Sequence, residues 1–283
     1  QKSDGSWGKP GTTGLVLLAF LGSGHTTRNG KYKQAVGRGF EYLVKQGRYN
    51  GERFVINSNM YHQGIATFAL AEECAMTKNS SVREHAAGAV KDILYAQYPD
   101  GGWRYKHTGN GGDISVTGWQ IMTLKAAKNA GLNIGDSFIK AEKFLDKVKK
   151  KSGNKLEFGY TSPGSGSWVR NSIGLVCLQF MDMFNRDTLN SAARGVIQKK
   201  LNPGRQPKSI YGVYYATVGL FQMGDFWWEN WNRVMKKAML NSQKADGRWQ
   251  GYERAKSSSF PDAYSTALSV LTLEVYYRYT PMK

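Results

Sequence analysis

The sequence is poor in cysteine, histidine and acidic charge, and it has no long hydrophobic run. Its two cysteines, Cys74 and Cys177, sit inside separate apolar stretches with no CxxC pair. That excludes a disulfide framework and leaves buried free thiols as the expectation. Of the four histidines, His25, His85 and His107 lack metal-ligand spacing, so no metal site is expected. No cofactor motif is found either. The longest apolar run, Leu15 to Leu21, is far too short to span a bilayer, so no transmembrane segment is expected. The 21 acidic residues are outnumbered by 39 basic ones, for a net charge of +18. Much of that charge is expected on solvated outer helix faces, as in the run Val148 to Lys155. It also suits an anionic partner such as an acidic polysaccharide or lipid phosphate. No nucleic-acid motif accompanies it, and nucleic acid ranks last among partners. The chain opens on Gln1, which fits removal of a leader and an extracytoplasmic (periplasmic or secreted) location.

What the chain does have is repetition. Gln1 to Trp7, Gln97 to Trp103 and Gln243 to Trp249 all read Gln-x-x-Asp-Gly-x-Trp. Their starts lie 96 and 146 residues apart, both near multiples of roughly 48. Weaker copies are Gln46 to Phe54, which keeps Gln, a turn Gly and an aromatic, and Leu156 to Tyr160, which keeps only the aromatic and Gly. Asp-Gly is a turn dipeptide, Trp an apolar plug, and the Gln amide a hydrogen-bonding end to a helix. The heptad therefore reads as a joint between units, and catalysis is not placed on it.

Six apolar segments align on Gly14, Gly64, Gly118, Gly174, Ala216 and Ala267. They are apolar nearly all round, which predicts buried helices. Between them lie amphipathic segments at Lys33–Gln46, Arg83–Gln97, Asp136–Lys150, Thr188–Leu201 and Glu229–Gln243. In the third, Phe138, Ala141, Phe144, Leu145 and Val148 share one face while lysines occupy the other. About six units of one buried and one half-buried helix can close on themselves, whereas an open solenoid leaves its ends bare. The expected fold is all-α: a single (α/α)6 toroid over residues 1–283, one domain with very little strand.

The heptads resemble the QW motifs of squalene and oxidosqualene cyclases and the related repeats of protein prenyltransferase β subunits. Gly118–Ile134 and Thr266–Met282 are similar to single-toroid squalene-cyclase-repeat proteins of planctomycete-like bacteria. The resemblance implies an α/α toroid whose central funnel binds or transforms an apolar or isoprenoid-like ligand. The family's catalytic signatures are not carried over with it. The cyclases use two toroids, and this chain has length for one. Against their Asp-x-Asp-Asp acid motif, the nearest match, Asp113-Ile114-Ser115-Val116, keeps only the first Asp. The prenyltransferase zinc ligands and the Cys-Gly-Glu-Gln thioester of complement-type toroids have no counterpart.

Register matching points to a site. Residues just before each aligned Gly or Ala begin an inner helix, so all should ring one mouth. They include Tyr61 and His62, Asp113 and Ser115, Trp168 and Arg170, Tyr211 and Tyr214, and Asp262 and Tyr264, with Trp119 just past its glycine. Asp113 and Asp262 share one register position, five residues before the alignment point. A pair of carboxylates across a cavity could do acid–base work with His62 or Tyr214. Tyr61, Ser115, Trp119, Trp168, Arg170, Tyr211 and Tyr264 are the candidate binding residues. Helix capping is the structural alternative for each Asp. Two further functional readings stand beside the apolar-ligand one. One is extracytoplasmic binding or cleavage of an acidic polysaccharide. The other is a non-enzymatic interaction scaffold.

Overall fold

Pro10 opens the first apolar segment, where a fixed φ and a missing N–H suit the first turn of a helix. Helix α1 (Pro10–Gly22) begins there, in a computed structural model that describes residues 1–164, 166–251 and 262–278. The end of the Thr266–Met282 stretch, residues 279–282, lies outside the described residues. The chain divides into two units, Gln1–Lys147 and Val148–Lys283.

In the first unit α1 is followed by α2 (Lys33–Gln46), a hairpin of β1 (Arg48–Asn50) and β2 (Arg53–Val55), then α3 (Met60–Thr77), α4 (Ser80–Tyr95), α5 (Ile114–Asn129) and α6 (Ser137–Val148). The second unit runs through a hairpin of β3 (Lys149–Ser152) and β4 (Lys155–Phe158), then α7 (Trp168–Phe180), α8 (Arg186–Ile197), α9 (Ile210–Met223), α10 (Asp225–Ser242), α11 (Asp262–Leu273) and the short α12 (Val275–Arg278). The odd-numbered helices are the six apolar segments. The even-numbered ones up to α10 are the amphipathic segments, and α2 spans Lys33–Gln46 as its sequence pattern predicts. The basic run Val148 to Lys155, expected on an outer helix face, instead leaves α6 at Val148 and forms most of the β3–β4 hairpin. On α6, Ala141, Phe144, Leu145 and Val148 are fully buried while Lys140, Lys143 and Lys147 are exposed. No helix among the described residues is long and apolar enough to cross a membrane.

Glycines at the alignment points let the inner helices approach closely. A Cβ on Gly14 would stand 2.9 Å from the Ile65 carbonyl oxygen, and one on Gly64 would stand 2.5 Å from Gln120 Nε2. Gln120 donates to the Met60 carbonyl at 2.8 Å, and Thr123 Oγ1 donates to the Gly64 carbonyl at 3.0 Å. These pairings run in the same direction along α3 and α5, so the two helices are parallel and their N-termini share one end. In the second unit, Gly212 against Trp168 and Gly219 against Leu175 set α7 and α9 parallel in the same way.

The three heptads fold alike. Gln1, Gln97 and Gln243 each donate through Nε2 to the carbonyl four residues on, all at 2.8 Å. Gly5, Gly101 and Gly247 take φ of +88°, +85° and +85°, the left-handed region that glycine tolerates. The backbone N–H groups of Trp7, Trp103 and Trp249 donate to the hydroxyls of Thr13, Thr117 and Thr266, each one residue before an alignment point. Gln1 and Gln97 also reach the first turns of α2 and α6 at Ala35 and Ser137. The heptad thus ties a turn to the inner helix that follows. The weaker copies fall on the two hairpins, Gln46 to Phe54 across β1 and β2 and Leu156 to Tyr160 at the end of β4, and the two-residue loops start on Gly51 and Gly153, both at φ +58°. There Phe54 and Phe158 replace Trp as the buried plug.

Candidate functional site

The N-terminal ends of α1, α3 and α5 meet in the first unit. The His62 ring lies on Gly11: a Cβ there would stand 2.5 Å from Nδ1, so only glycine leaves room for the imidazole. His62 is half-buried. Burial, and then the nearby Lys9 charge, hold its pKa below the ordinary histidine value, so the ring is neutral at pH 7. Beside it, the Tyr61 ring packs against Tyr105 with centroids 5.7 Å apart.

Tyr105 belongs to the loop that leaves the second heptad. Several tertiary bonds fix this loop. Met60 N–H donates to the Tyr105 carbonyl at 3.0 Å. Tyr98 O–H donates to the Lys106 carbonyl at 2.7 Å. His107 Nε2 lies 2.7 Å from the buried Asp92, which also faces Arg53 at 3.5 Å. Arg104, Tyr105 and Lys106 are exposed as a result.

Asp113 is fully buried at the start of α5. Its Oδ1 accepts from Ser115 N–H at 3.0 Å, Val116 N–H at 2.9 Å and Ser115 O–H at 2.7 Å, which makes it the N-cap. Its Oδ2 has no hydrogen-bond donor, and Arg104 Nε stands 3.9 Å away. Trp119 is buried within α5.

The second unit holds the remaining candidates. Trp168 is half-buried under Lys199, whose Nζ lies 5.8 Å from the ring centroid. Arg170 Nε donates to the Phe158 carbonyl at 3.3 Å, so this guanidinium helps hold the hairpin. Tyr211 packs on Tyr215 at 5.0 Å. Tyr214 is 0% exposed, its ring edge-on to Tyr215. Tyr264 is half-buried, and burial raises its phenol pKa. Asp262 is 39% exposed in its side chain. It accepts from Gly251 N–H at 2.6 Å and pairs with Arg248; these hold its carboxyl below the usual range.

The structure therefore brings Tyr61, His62, Asp113 and Ser115 together in one unit and adds Arg104, Lys106 and Tyr105, which register matching missed. One signal could have found them. Heptad tryptophans bond to the threonine before each alignment point, so residues directly after Trp103 must emerge at the same mouth.

No protein-family model matches the chain, and no curated protein matches it. Solved structures do. The GH76A α-1,6-mannanase from Salegentibacter sp. HEL1_6 matches with a TM-score of 0.70 at 10% identity, over 97% of this chain and 93% of the mannanase. Cellobiose 2-epimerase from Bacillus thermoamylovorans B4167 matches with a TM-score of 0.64 at 13% identity, over 94% and 87%. A type II terpene cyclase from Scytonema matches with a TM-score of 0.60 at 10% identity, over 95% and 86%. An inactive variant of the mannanase, with two consecutive aspartates replaced, is known in complex with α-1,6-mannotriose. These likenesses give the fold, an all-α (α/α)6 toroid. The fold is shared by glycan-processing and isoprenoid-processing proteins alike.

Proposed function

We propose that this chain binds an acidic polysaccharide at the rim formed by the N-terminal ends of α1, α3 and α5. The observation that carries the reading is the Tyr61–Tyr105 pair flanked by cations and by the His62 ring. Half-exposed aromatic faces suit sugar rings, which present apolar C–H faces. Lys9, Arg104 and Lys106 are exposed near that pair, as an anionic chain requires. The net charge of +18 adds long-range attraction.

The apolar-ligand reading calls for aromatic walls open to a ligand. Trp119 and Tyr214, which would supply them, are buried. The glycan reading needs no such opening. It also does not borrow the mannanase chemistry, because no two aspartates are adjacent anywhere in this sequence.

Equilibrium titration tests it with three probes: a galacturonate hexasaccharide, α-1,6-mannotriose and geranylgeranyl diphosphate. The acidic sugar is expected to bind, and to weaken steeply as salt rises. Replacing Tyr61 and Tyr105 together by Ala is expected to lower that affinity about tenfold or more. Salt-independent binding of the isoprenoid, with none of the acidic sugar, would overturn the proposal.

A further inference from the structure

The buried Asp113 carboxylate is only half used by capping. Oδ1 takes three donors from the first turn of α5, whereas Oδ2 is buried with none. A buried carboxylate oxygen without a donor is costly, and a countercharge nearby reduces that cost. The countercharge is Arg104, whose Nε faces Oδ2 at 3.9 Å. The two side chains differ sharply in exposure, at 0% for Asp113 and 46% for Arg104. Asp113 therefore faces the Arg104 guanidinium from the buried side. Neither terminal guanidinium nitrogen makes a hydrogen bond among the described residues. Tyr105, the next residue, carries the ring that packs on Tyr61. A planar fork beside an aromatic platform matches a sugar ring that bears a carboxylate, which it can grip with two parallel N–H···O bonds.

We infer that Arg104 is the residue that recognises the ligand's carboxylate and that Asp113 is a positioning residue that aims it. This rests on the acidic-glycan reading above and assigns the acid specificity of that site. Lysine would not replace Arg104 well, because a point charge cannot form the same two-pronged contact. Asparagine at Asp113 would keep a capping oxygen and lose the charge.

The test compares galacturonate hexasaccharide with its methyl ester, which has the same ring without the carboxylate charge. R104Q is expected to lower affinity for the acid roughly ten- to a hundredfold while leaving the ester unchanged. R104K is expected to recover only part of the loss. D113N is expected to weaken the acid several-fold, with little change in Tm. A ligand-free arm follows solvent exchange of the Arg104 Nε–H by NMR, expected to be faster in D113N than in the parent. If D113N fails to fold, R104Q, at a half-exposed position, still decides the receptor role. Unchanged acid affinity in R104Q overturns that role. Unchanged exchange and unchanged acid affinity in D113N overturn the positioning role. If the parent binds neither probe, the glycan reading and the receptor role fall together, and the exchange arm alone decides whether Asp113 holds Arg104.

Discussion

Asp113 and Asp262 occupy the same register position in the two units, yet they live in opposite environments. Asp113 is fully buried, caps α5 and faces an arginine across 3.9 Å. Asp262 is 39% exposed and sits in contact with Arg248 and the Gly251 N–H. A shared repeat position fixes where the backbone starts a helix. It does not fix what surrounds the side chain. In the first unit the loop that leaves the second heptad is stapled by Tyr98, His107 and Met60, and it brings Arg104 up to Asp113.

The heptad glycines give the largest contrast. Gly101 and Gly247 share φ +85°, but a Cβ on Gly101 would collide with the Lys140 carbonyl, whereas the nearest atom to one on Gly247 is 3.9 Å away. G101A is expected to cost about 3 kcal/mol or more, combining left-handed strain with a backbone collision. G247A, which carries the strain alone, is expected to cost about 1–2 kcal/mol. Urea denaturation of both variants checks this; equal losses would break the contrast. Next in size, D113A is expected to lose about 2 kcal/mol, as a buried cap does. D262A is expected to lose under about 1 kcal/mol, as an exposed pair does.

The pH dependence separates the units with smaller effects. Burial raises the pKa of Glu73 on α3, only partly offset by the Thr27 N–H and O–H that donate to it at 3.1 and 2.5 Å. The folded chain keeps that proton to higher pH than the unfolded chain. Stability from this group is therefore fullest below the unfolded value and falls as pH rises through the raised folded value. For Asp262 the sign reverses, because its carboxyl is held low by Gly251 N–H and Arg248. Its contribution is present above the unfolded value and fades as pH falls through the folded one. E73Q is expected to remove the loss on raising pH, and D262N the loss on lowering it. Denaturation midpoints between pH 3 and pH 7 measure both, and a stability profile unchanged by either variant would contradict the assignment.

Much of the fold is legible in the sequence because local chemistry sets it. The pattern of Lys33–Gln46 marks an outer helix, and Asp-Gly before Trp marks each joint. The weak copies at Gln46–Phe54 and Leu156–Tyr160 lack the Asp-Gly before an aromatic that marks the full heptads. Both keep an aromatic plug; Gln46–Phe54 carries the Gly51 turn of its hairpin, whereas the Gly153 turn precedes Leu156–Tyr160, which holds only part of β4. In the candidate site, register alone brings out Tyr61, His62 and Asp113. It cannot show that Arg104 and Tyr105 join them, because tertiary hydrogen bonds direct their loop. Nor does it give helix phase: Trp119 and Tyr214 stand close to their alignment points but face the core.

On the proposed function, the first unit's rim, and not its counterpart in the second unit, takes the acidic sugar. Hydrogen–deuterium exchange with and without galacturonate hexasaccharide tests it most directly. Exchange is expected to slow in residues 59–62 and 103–115, with no change in residues 248–251 and 262–265. Protection of the latter segments with none of the former would contradict it.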